Sequence, residues 1–267
     1  MSYGERMNRA FGLYVTGCLI GALCFLTCSA LQAQRKSSPK PNVIIILSDD
    51  VGYGDVSCYG GVSINTPNID RLATRGLRFT NGHASASTCT PSRYSILTGQ
   101  YAWRKRGTDI LPGSASLIIP TDRATLGTLF QQAGYHTAAI GKWHLGLGSA
   151  AGPDWNGLIK PGPNEVGFDY SFLIPATPDR VPCVYVENHH VVNLDPKDPI
   201  SVSYQHPVGS LPTGREAPDR LKMKTSPGQG HLGTIINGIS RIGWMSGGRS
   251  AWWTDSTISD VMTGKTI

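Results

Sequence analysis

Val43-Ile44-Ile45-Ile46-Leu47-Ser48-Asp49-Asp50 is the stretch from which the fold is read. A continuous apolar run dominated by β-branched residues predicts a strand buried on both faces of a parallel sheet. Its polar end puts two carboxylates at the carboxyl end of that strand, where open α/β sheets gather their sites. Further along, Val51-Gly52-Tyr53-Gly54-Asp55 reads as a Gly-rich loop. Thr66-Pro67 reads as a helix cap with proline at the first helical position, Ile69, Leu72 and Ala73 as the apolar face, and Gly76 as the stop. Residues 77–79 suggest a short strand. A second cap, Thr90-Pro91, opens a helix through Ile96 and Leu97 that Gly99 closes, and a third helix over 126–133 ends at Gly134, before a strand over 135–140. Strands alternating with helices predict an α/β sandwich with a mainly parallel central sheet flanked by helices.

From about 150 to 250 the chain is rich in Gly, Pro and turns, with Val184-Tyr185-Val186 as a short strand candidate; this reads as long loops on the active side, not as a separate domain. Ile258, Val261 and Met262 recur at helical spacing in residues 255–267, and neither a cap nor a strand follows, so the sequence reads as cut short at its C-terminus.

The net charge of +6 comes from Lys and Arg that are scattered, with no basic run and no interleaved aromatics, which argues against nucleic acid and for a pocket that takes one small anion. Hydrophobic residues at 40% and charged residues at 16% suit a globular chain and exclude wholesale disorder.

Arg6 and Arg9 precede residues 11–33, which contain no Lys, Arg, Asp or Glu, and small residues stand near Ala30 and Ala33. This is the pattern of a secretory signal over 1–33, followed by a polar linker over 34–41, and it predicts an exported, periplasmic or secreted product. The stretch is also near the length of a retained membrane anchor, and Val15-Thr16-Gly17-Cys18 has a lipobox-like look, though it precedes most of the apolar stretch. Cys18, Cys24 and Cys28 fall within the signal, which leaves Cys58, Cys89 and Cys183. Three thiols cannot all pair, so one invites a separate explanation; Cys58 and Cys183 are expected as free thiols.

Two chemistry-bearing clusters stand out. Adjacent Asp49 and Asp50 repel each other unless a cation lies between them, and a hard divalent ion suits their oxygens; a solvated loop with one Asp as a helix cap is the plainer reading of such a pair in isolation. The second cluster is Cys89-Thr90-Pro91-Ser92-Arg93 with Leu97-Thr98-Gly99. The cap places Cys89 just before a helix N-terminus, where free N–H groups favour an anion, and Arg93 adds a cation within about a turn.

Cys89, Pro91, Ser92, Arg93, Leu97, Thr98 and Gly99 match the Cys-x-Pro-Ser-Arg and Leu-Thr-Gly signature of the type I sulfatases, and the chain is identified as a member on that resemblance. The likeness extends over about residues 41 to 148. Residues 41–55 resemble the family's first strand and metal loop, Thr66-Pro67-Asn68-Ile69-Asp70-Arg71-Leu72-Ala73 its first helix, and Gly141-Lys142-Trp143-His144-Leu145-Gly146 the segment that holds its catalytic lysine and histidine. Residues 174–183 are similar to a substrate-side loop, with Thr177 where a hydroxyl residue often sits.

The resemblance implies an alkaline-phosphatase-like fold, with 42–267 as the incomplete N-terminal part of the catalytic domain. It implies that a maturation enzyme oxidises Cys89 to formylglycine, which hydrates to a gem-diol, and that one hydroxyl attacks the sulfur of a small-molecule or glycan sulfate ester. Asp49, Asp50 and residue 89 would bind Ca²⁺, with Mg²⁺ the less favoured ion. Lys142 and Arg93 would offset charge on the sulfate oxygens, with Lys142 and Thr177 on the substrate, and His144 would take the proton of the second hydroxyl as sulfate leaves. The family's remaining metal ligands and a later His and Lys cannot be placed in residues 1–267, so little or no turnover is expected of this stretch by itself.

Two other readings remain open at this point: a phosphatase or phosphonate hydrolase of the same fold, and a non-catalytic exported relic. Outside the clusters, His83 is read as a packing histidine, His189 and His190 as a surface pair, and Trp252 and Trp253 as packing residues.

Overall fold

The computed structural model describes residues 39–223 and 229–267. The expected signal over 1–33, with its three cysteines, and most of the linker lie outside the described residues. Among those described, no helix is long and apolar enough to cross a membrane.

The chain divides into two compact units, one up to Asn65 and one over Thr66–Ile267. In the first unit, residues 39–48 run without regular structure to a bend at Asp49 and Asp50, where Asp50 takes a left-handed φ of 53°. Two 3-10 turns follow, Tyr53–Asp55 and Ser57–Tyr59. Asp55 accepts a hydrogen bond from the Gly52 N–H at 2.7 Å, and the Tyr53 and Tyr59 rings meet at 4.4 Å between centroids.

The strand expected at 43–47 is not formed. Its five apolar side chains are exposed, Ile46 at 82%. A β-branched run is only a propensity, and a strand exists when a neighbouring segment accepts its ladder; none among the described residues does so here.

The second unit holds the core. Helix α1 (Pro67–Arg75) starts where the Thr66-Pro67 pair predicts, and the Thr66 hydroxyl reaches Asp70 at 3.2 Å. Its expected apolar face is not buried, since Ile69 and Leu72 are exposed, and residues 77–79 form no strand. Helix α2 (Cys89–Thr98) closes at Gly99, whose N–H bonds to the Ser95 carbonyl. Helix α3 (Leu126–Gln132) is opened by a reciprocal bond pair between Thr125 and Thr128.

Strand β1 (Ala138–Lys142) then pairs in parallel with β2 (Tyr170–Ile174), from Ala138 opposite Tyr170 to Lys142 opposite Ile174. β3 (Val186–Glu187) and β4 (His190–Val191) extend this sheet in the order β1-β2-β3-β4, both pairings antiparallel. The sheet is therefore mixed, not mainly parallel: the long loop after β2 brings β3 back antiparallel and the tight β3–β4 hairpin adds β4, whereas a parallel neighbour needs a crossover. Val184, expected in a strand, makes an isolated bridge to Trp252.

Two smaller ribbons complete the unit: β5 (Ser201–Ser203) with β8 (Trp244–Ser246), and the hairpin β6 (Ile235–Ile236) with β7 (Ile239–Ser240). Asn237 and Gly238 turn that hairpin with φ of 57° and 81°, the twist two-residue turns require.

Helix α4 (Ile258–Thr266) follows a 3-10 turn at Asp255–Thr257 and lays Ile258, Val261 and Met262 against the core, as their spacing predicts. Phe172, Leu173, Val184, Val186, Met245 and Trp253 form the centre of that core, and Trp252 packs at its margin. Among the described residues, Cys58 and Cys183 form no disulfide. Complete burial pushes the Cys183 thiol up to about 12, which makes it inert at neutral pH.

Candidate active site

The two parallel strands deliver the site. β1 ends at Lys142, and the ladder continues past it: the Trp143 N–H bonds to the Ile174 carbonyl and the His144 N–H to the Pro175 carbonyl, both at 3.0 Å. Segment 142–144 and the loop after β2 therefore leave the sheet side by side, at the carboxyl ends of its parallel strands.

Two features hold the first of these segments. The Trp143 indole, 4% exposed, donates to the Gly146 carbonyl at 2.8 Å. Gly146 itself takes a φ of 76°, and a Cβ there would fall 1.8 Å from the Ser116 carbonyl oxygen.

Helix α2 is stitched to the same segment. The helix begins two residues earlier than its Thr90-Pro91 pair suggests: Thr88 is the N-cap residue, Cys89 the first helical residue, and Pro91 lies inside the first turn. Thr90, fully buried, donates from its hydroxyl to the His144 carbonyl at 2.8 Å and accepts from the Leu111 N–H at 3.4 Å. Arg93 donates to the Lys142 carbonyl at 2.5 Å. The Ser92 hydroxyl ties back to the Ala86 carbonyl at 2.6 Å, and those of Ser95 and Thr98 bond to the carbonyls of Pro91 and Tyr94 one turn earlier. Much of the 89–99 segment thus builds the short helix and its seat.

The result brings Cys89 and Lys142 into contact, with the Lys142 Nζ 2.9 Å from the Cys89 Sγ. Cys89 is half-buried there.

His144 is 1% exposed and occupies a left-handed φ of 54°. Its Nε2 lies 2.8 Å from the Leu111 carbonyl. A carbonyl only accepts, so Nε2 carries the hydrogen and Nδ1 the free lone pair. Nδ1 has no hydrogen-bond partner among the described residues. Burial, with the nearby charges of Lys142, Arg180 and Arg93, depresses the ring from 6.5 to about 4 against the opposing Leu111 bond. The ring is thus neutral at physiological pH, with a buried acceptor nitrogen.

Residues 177–180 carry a second polar cluster. The Thr177 hydroxyl donates to Asp179, Arg180 donates to Thr177 at 2.7 Å and to Asp179 at 3.2 Å, and His231 Nε2 lies 3.1 Å from the other Asp179 oxygen. Burial would raise the Asp179 carboxyl, but these donors outweigh it and hold the group below its ordinary value. Sequence reading singled out Thr177 and passed over Asp179, Arg180 and His231. A basic residue next to an acidic one in a loop carries no signal until a partner 52 positions away closes on it.

Asp49 and Asp50 lie in the first unit, where both are exposed. Their oxygens suit a hard divalent cation. Among the described residues, no group of three or more His, Cys, Asp and Glu is gathered that could hold a metal ion, so this pair supplies donors but not a closed cage.

Other histidines differ from expectation. His83 is exposed and bonds to Asn81 at 2.8 Å instead of packing. His189 is half-buried against Glu165 at 3.0 Å, while its neighbour His190 is exposed in β4.

Comparison with known proteins bears on what this arrangement serves. A model of the family described as Sulfatase matches residues 41–182. The chain is 53% identical over 250 residues to an N-acetylgalactosamine-6-O-sulfatase of Bacteroides thetaiotaomicron, covering 92% of this chain and 48% of that protein. It is 43% identical over 145 residues to the human arylsulfatase H, covering 51% of this chain and 25% of that protein. A solved structure from work on the metabolism of multiple glycosaminoglycans by Bacteroides thetaiotaomicron superposes with a TM-score of 0.84 at 56% identity, over 86% of this chain and 47% of that one. The chain spans about half the length of its bacterial relative and a quarter of the animal one.

Proposed function

Because the chain belongs to the sulfatase family, we propose that the protein it forms part of hydrolyses sulfate esters by way of a formylglycine at position 89. The observation that carries this reading is the Lys142 ammonium 2.9 Å from the side chain of residue 89, at the start of a helix and the end of a parallel strand. Family membership implies a formylglycine and a divalent cation in general. A formylglycine supplies a hydrated aldehyde with two hydroxyls on one carbon, one to act as nucleophile and the other to give up a proton when sulfate is released.

The chain's own residues then divide the work. Lys142 places a cation beside the nucleophile and the sulfate oxygens, where charge accumulates in the transition state. Arg93 secures the Lys142 backbone with one guanidinium nitrogen and adds positive charge on the same side. His144, fixed by Leu111 in the tautomer with an unprotonated Nδ1, is the base that takes the second hydroxyl's proton. Asp49 and Asp50 are proposed as oxygen ligands of the cation, Ca²⁺ on the family pattern, which would polarise the sulfate.

Loop 177–180 is proposed to line the substrate side, since it leaves β2 next to His144 and the Arg180 charge is felt at that ring. The name of the bacterial relative points to a 6-sulfated N-acetylgalactosamine as the substrate class. Phosphate ester hydrolysis is not favoured, because the relatives found are sulfatases. Export follows from the signal-like pattern of residues 1–33 and is likewise a proposal.

Mass spectrometry of the peptide that contains Cys89, from protein co-expressed with a maturation enzyme, tests the central step. A loss of about 18 Da relative to the thiol is expected. An intact thiol in protein that still cleaves sulfate esters at full rate would overturn the reading.

A further inference from the structure

We infer that Arg241 is a positioning residue, which with Asp255 sets the substrate-side loop 177–180 against the reacting group; the inference rests on the function proposed above. Arg241 is 1% exposed, among the largest fully buried side chains of the protein. Burying a guanidinium is costly unless its donors find acceptors; its two terminal nitrogens find them on three separate segments, while its buried Nε has no partner among the described residues. One terminal nitrogen donates to the Pro178 carbonyl at 2.5 Å. The other donates to the Ile236 carbonyl at 3.0 Å and to Asp255 at 2.7 Å.

Asp255 is itself fixed by Asn237, at 2.9 Å, and by the Trp253 indole. Burial alone would raise its carboxyl, yet Arg241 and Asn237 hold it low, so the pair is charged on both sides.

The residue next to Arg241 shows what is being held. The Ile242 N–H bonds to the Asp179 carbonyl at 2.8 Å, the Val181 N–H to the Ile242 carbonyl at 3.2 Å, and Arg180 forms an isolated parallel bridge with Ile242. His231, just before β6, takes the Asp179 carboxylate from the same side. The β6–β7 hairpin and its flanks therefore back loop 177–180 on its backbone and on its acidic side chain, and Arg241 pins that backing to the start of the C-terminal helix. None of these groups lies in the Cys89–Lys142–His144 cluster. Arg241 can reach the chemistry only through the loop, so what it governs is how the part of the substrate beyond the sulfate is seated.

This separates two kinds of substrate. A small aryl sulfate offers little beyond the sulfate and leaving group, whereas a 6-sulfated N-acetylgalactosamine presents a ring to the loop. The test measures kcat and KM of the matured protein on both, for wild type and for Arg241→Met, Arg241→Lys and Asp255→Asn. The expected result is a KM on the sulfated sugar raised by at least about tenfold with kcat little changed, and an unaltered kcat/KM on the aryl sulfate. Arg241→Lys keeps the charge but not the fork, so it should show the same split in smaller measure.

Equal losses on both substrates, or no loss on the sugar, overturn the inference. Should Arg241→Met not yield folded protein, Arg241→Lys and Asp255→Asn decide the matter by the same ratio. A wild type inactive on every sulfate ester would instead sink the proposed function, and the two failures are thereby told apart.

Discussion

The Nζ of Lys142 lies 2.9 Å from the Sγ of Cys89, although 53 residues separate them in sequence. One closes a parallel strand and the other opens a helix, and the Thr90 and Arg93 bonds to the strand's continuation hold the two ends together.

Substituting Lys142→Met should lower kcat on a sulfate ester by about 10² to 10³, the usual effect of removing one electrostatic contact to developing charge. The formylglycine content of residue 89 should be unaffected, because oxidation of the thiol does not need this contact. Steady-state kinetics and mass spectrometry of one preparation check both; full activity in the variant would remove Lys142 from the reaction.

Fold stability should fall as the pH drops from about 6.5 towards 4. His144 is depressed to about 4 in the folded chain, so between those values the unfolded chain binds more protons than the native one. Stability therefore rises with pH in that window and is lost on acidification, by about 3 kcal/mol once both forms are protonated. Chemical denaturation at pH 4, 5.5 and 7 reads this slope. His144→Asn, which tolerates the left-handed backbone at this position, should flatten it and abolish turnover at every pH.

Replacing Thr90→Val keeps the shape of the side chain but leaves the His144 carbonyl and the Leu111 N–H without the hydroxyl they share. A loss of about 1–3 kcal/mol in unfolding free energy is expected. Activity should fall as well, since the same hydroxyl joins helix α2 to the histidine. A variant as stable and active as wild type would show that the hydroxyl is dispensable.

Gly146→Ala should be among the most damaging small changes in the chain. The added methyl falls 1.8 Å from a backbone oxygen at a φ of 76°, and neither can give without moving the 142–146 segment. A destabilisation of more than about 3 kcal/mol, read from the denaturation midpoint, is expected. Ala tolerated here would mean that the segment is not fixed by the Ser116 contact.

A chelator should silence the matured protein, and adding back Ca²⁺ should restore it. Asp49→Asn with Asp50→Asn should weaken the ion's hold, so that more Ca²⁺ is needed for half-maximal rate. Activity that resists chelation and both substitutions would exclude the two aspartates as metal ligands.

The helices were legible because their signals are local. Thr66-Pro67 and Gly99 announce helix ends within a turn of where they act, and Ile258, Val261 and Met262 announce a buried face by spacing alone. Strands fared less well. Residues 43–47 have the composition of a buried strand but are exposed and pair with no strand among the described residues, while β6–β7 was overlooked despite the Asn237-Gly238 turn between them. A helix satisfies its own backbone, but a strand depends on a neighbour that its sequence does not name.

By itself the sequence determined the family and brought forward Cys89, Arg93, Lys142 and His144, because chemistry of that kind demands fixed residue types at short, fixed spacings. Only the tertiary structure decided that Leu111 assigns the His144 tautomer, that His231 closes on Asp179 and that Arg241 underlies the 177–180 loop. These are contacts across 33, 52 and 63 residues, formed through backbone carbonyls or single side chains. Their energy depends on burial and direction, and a linear string of residue types contains neither.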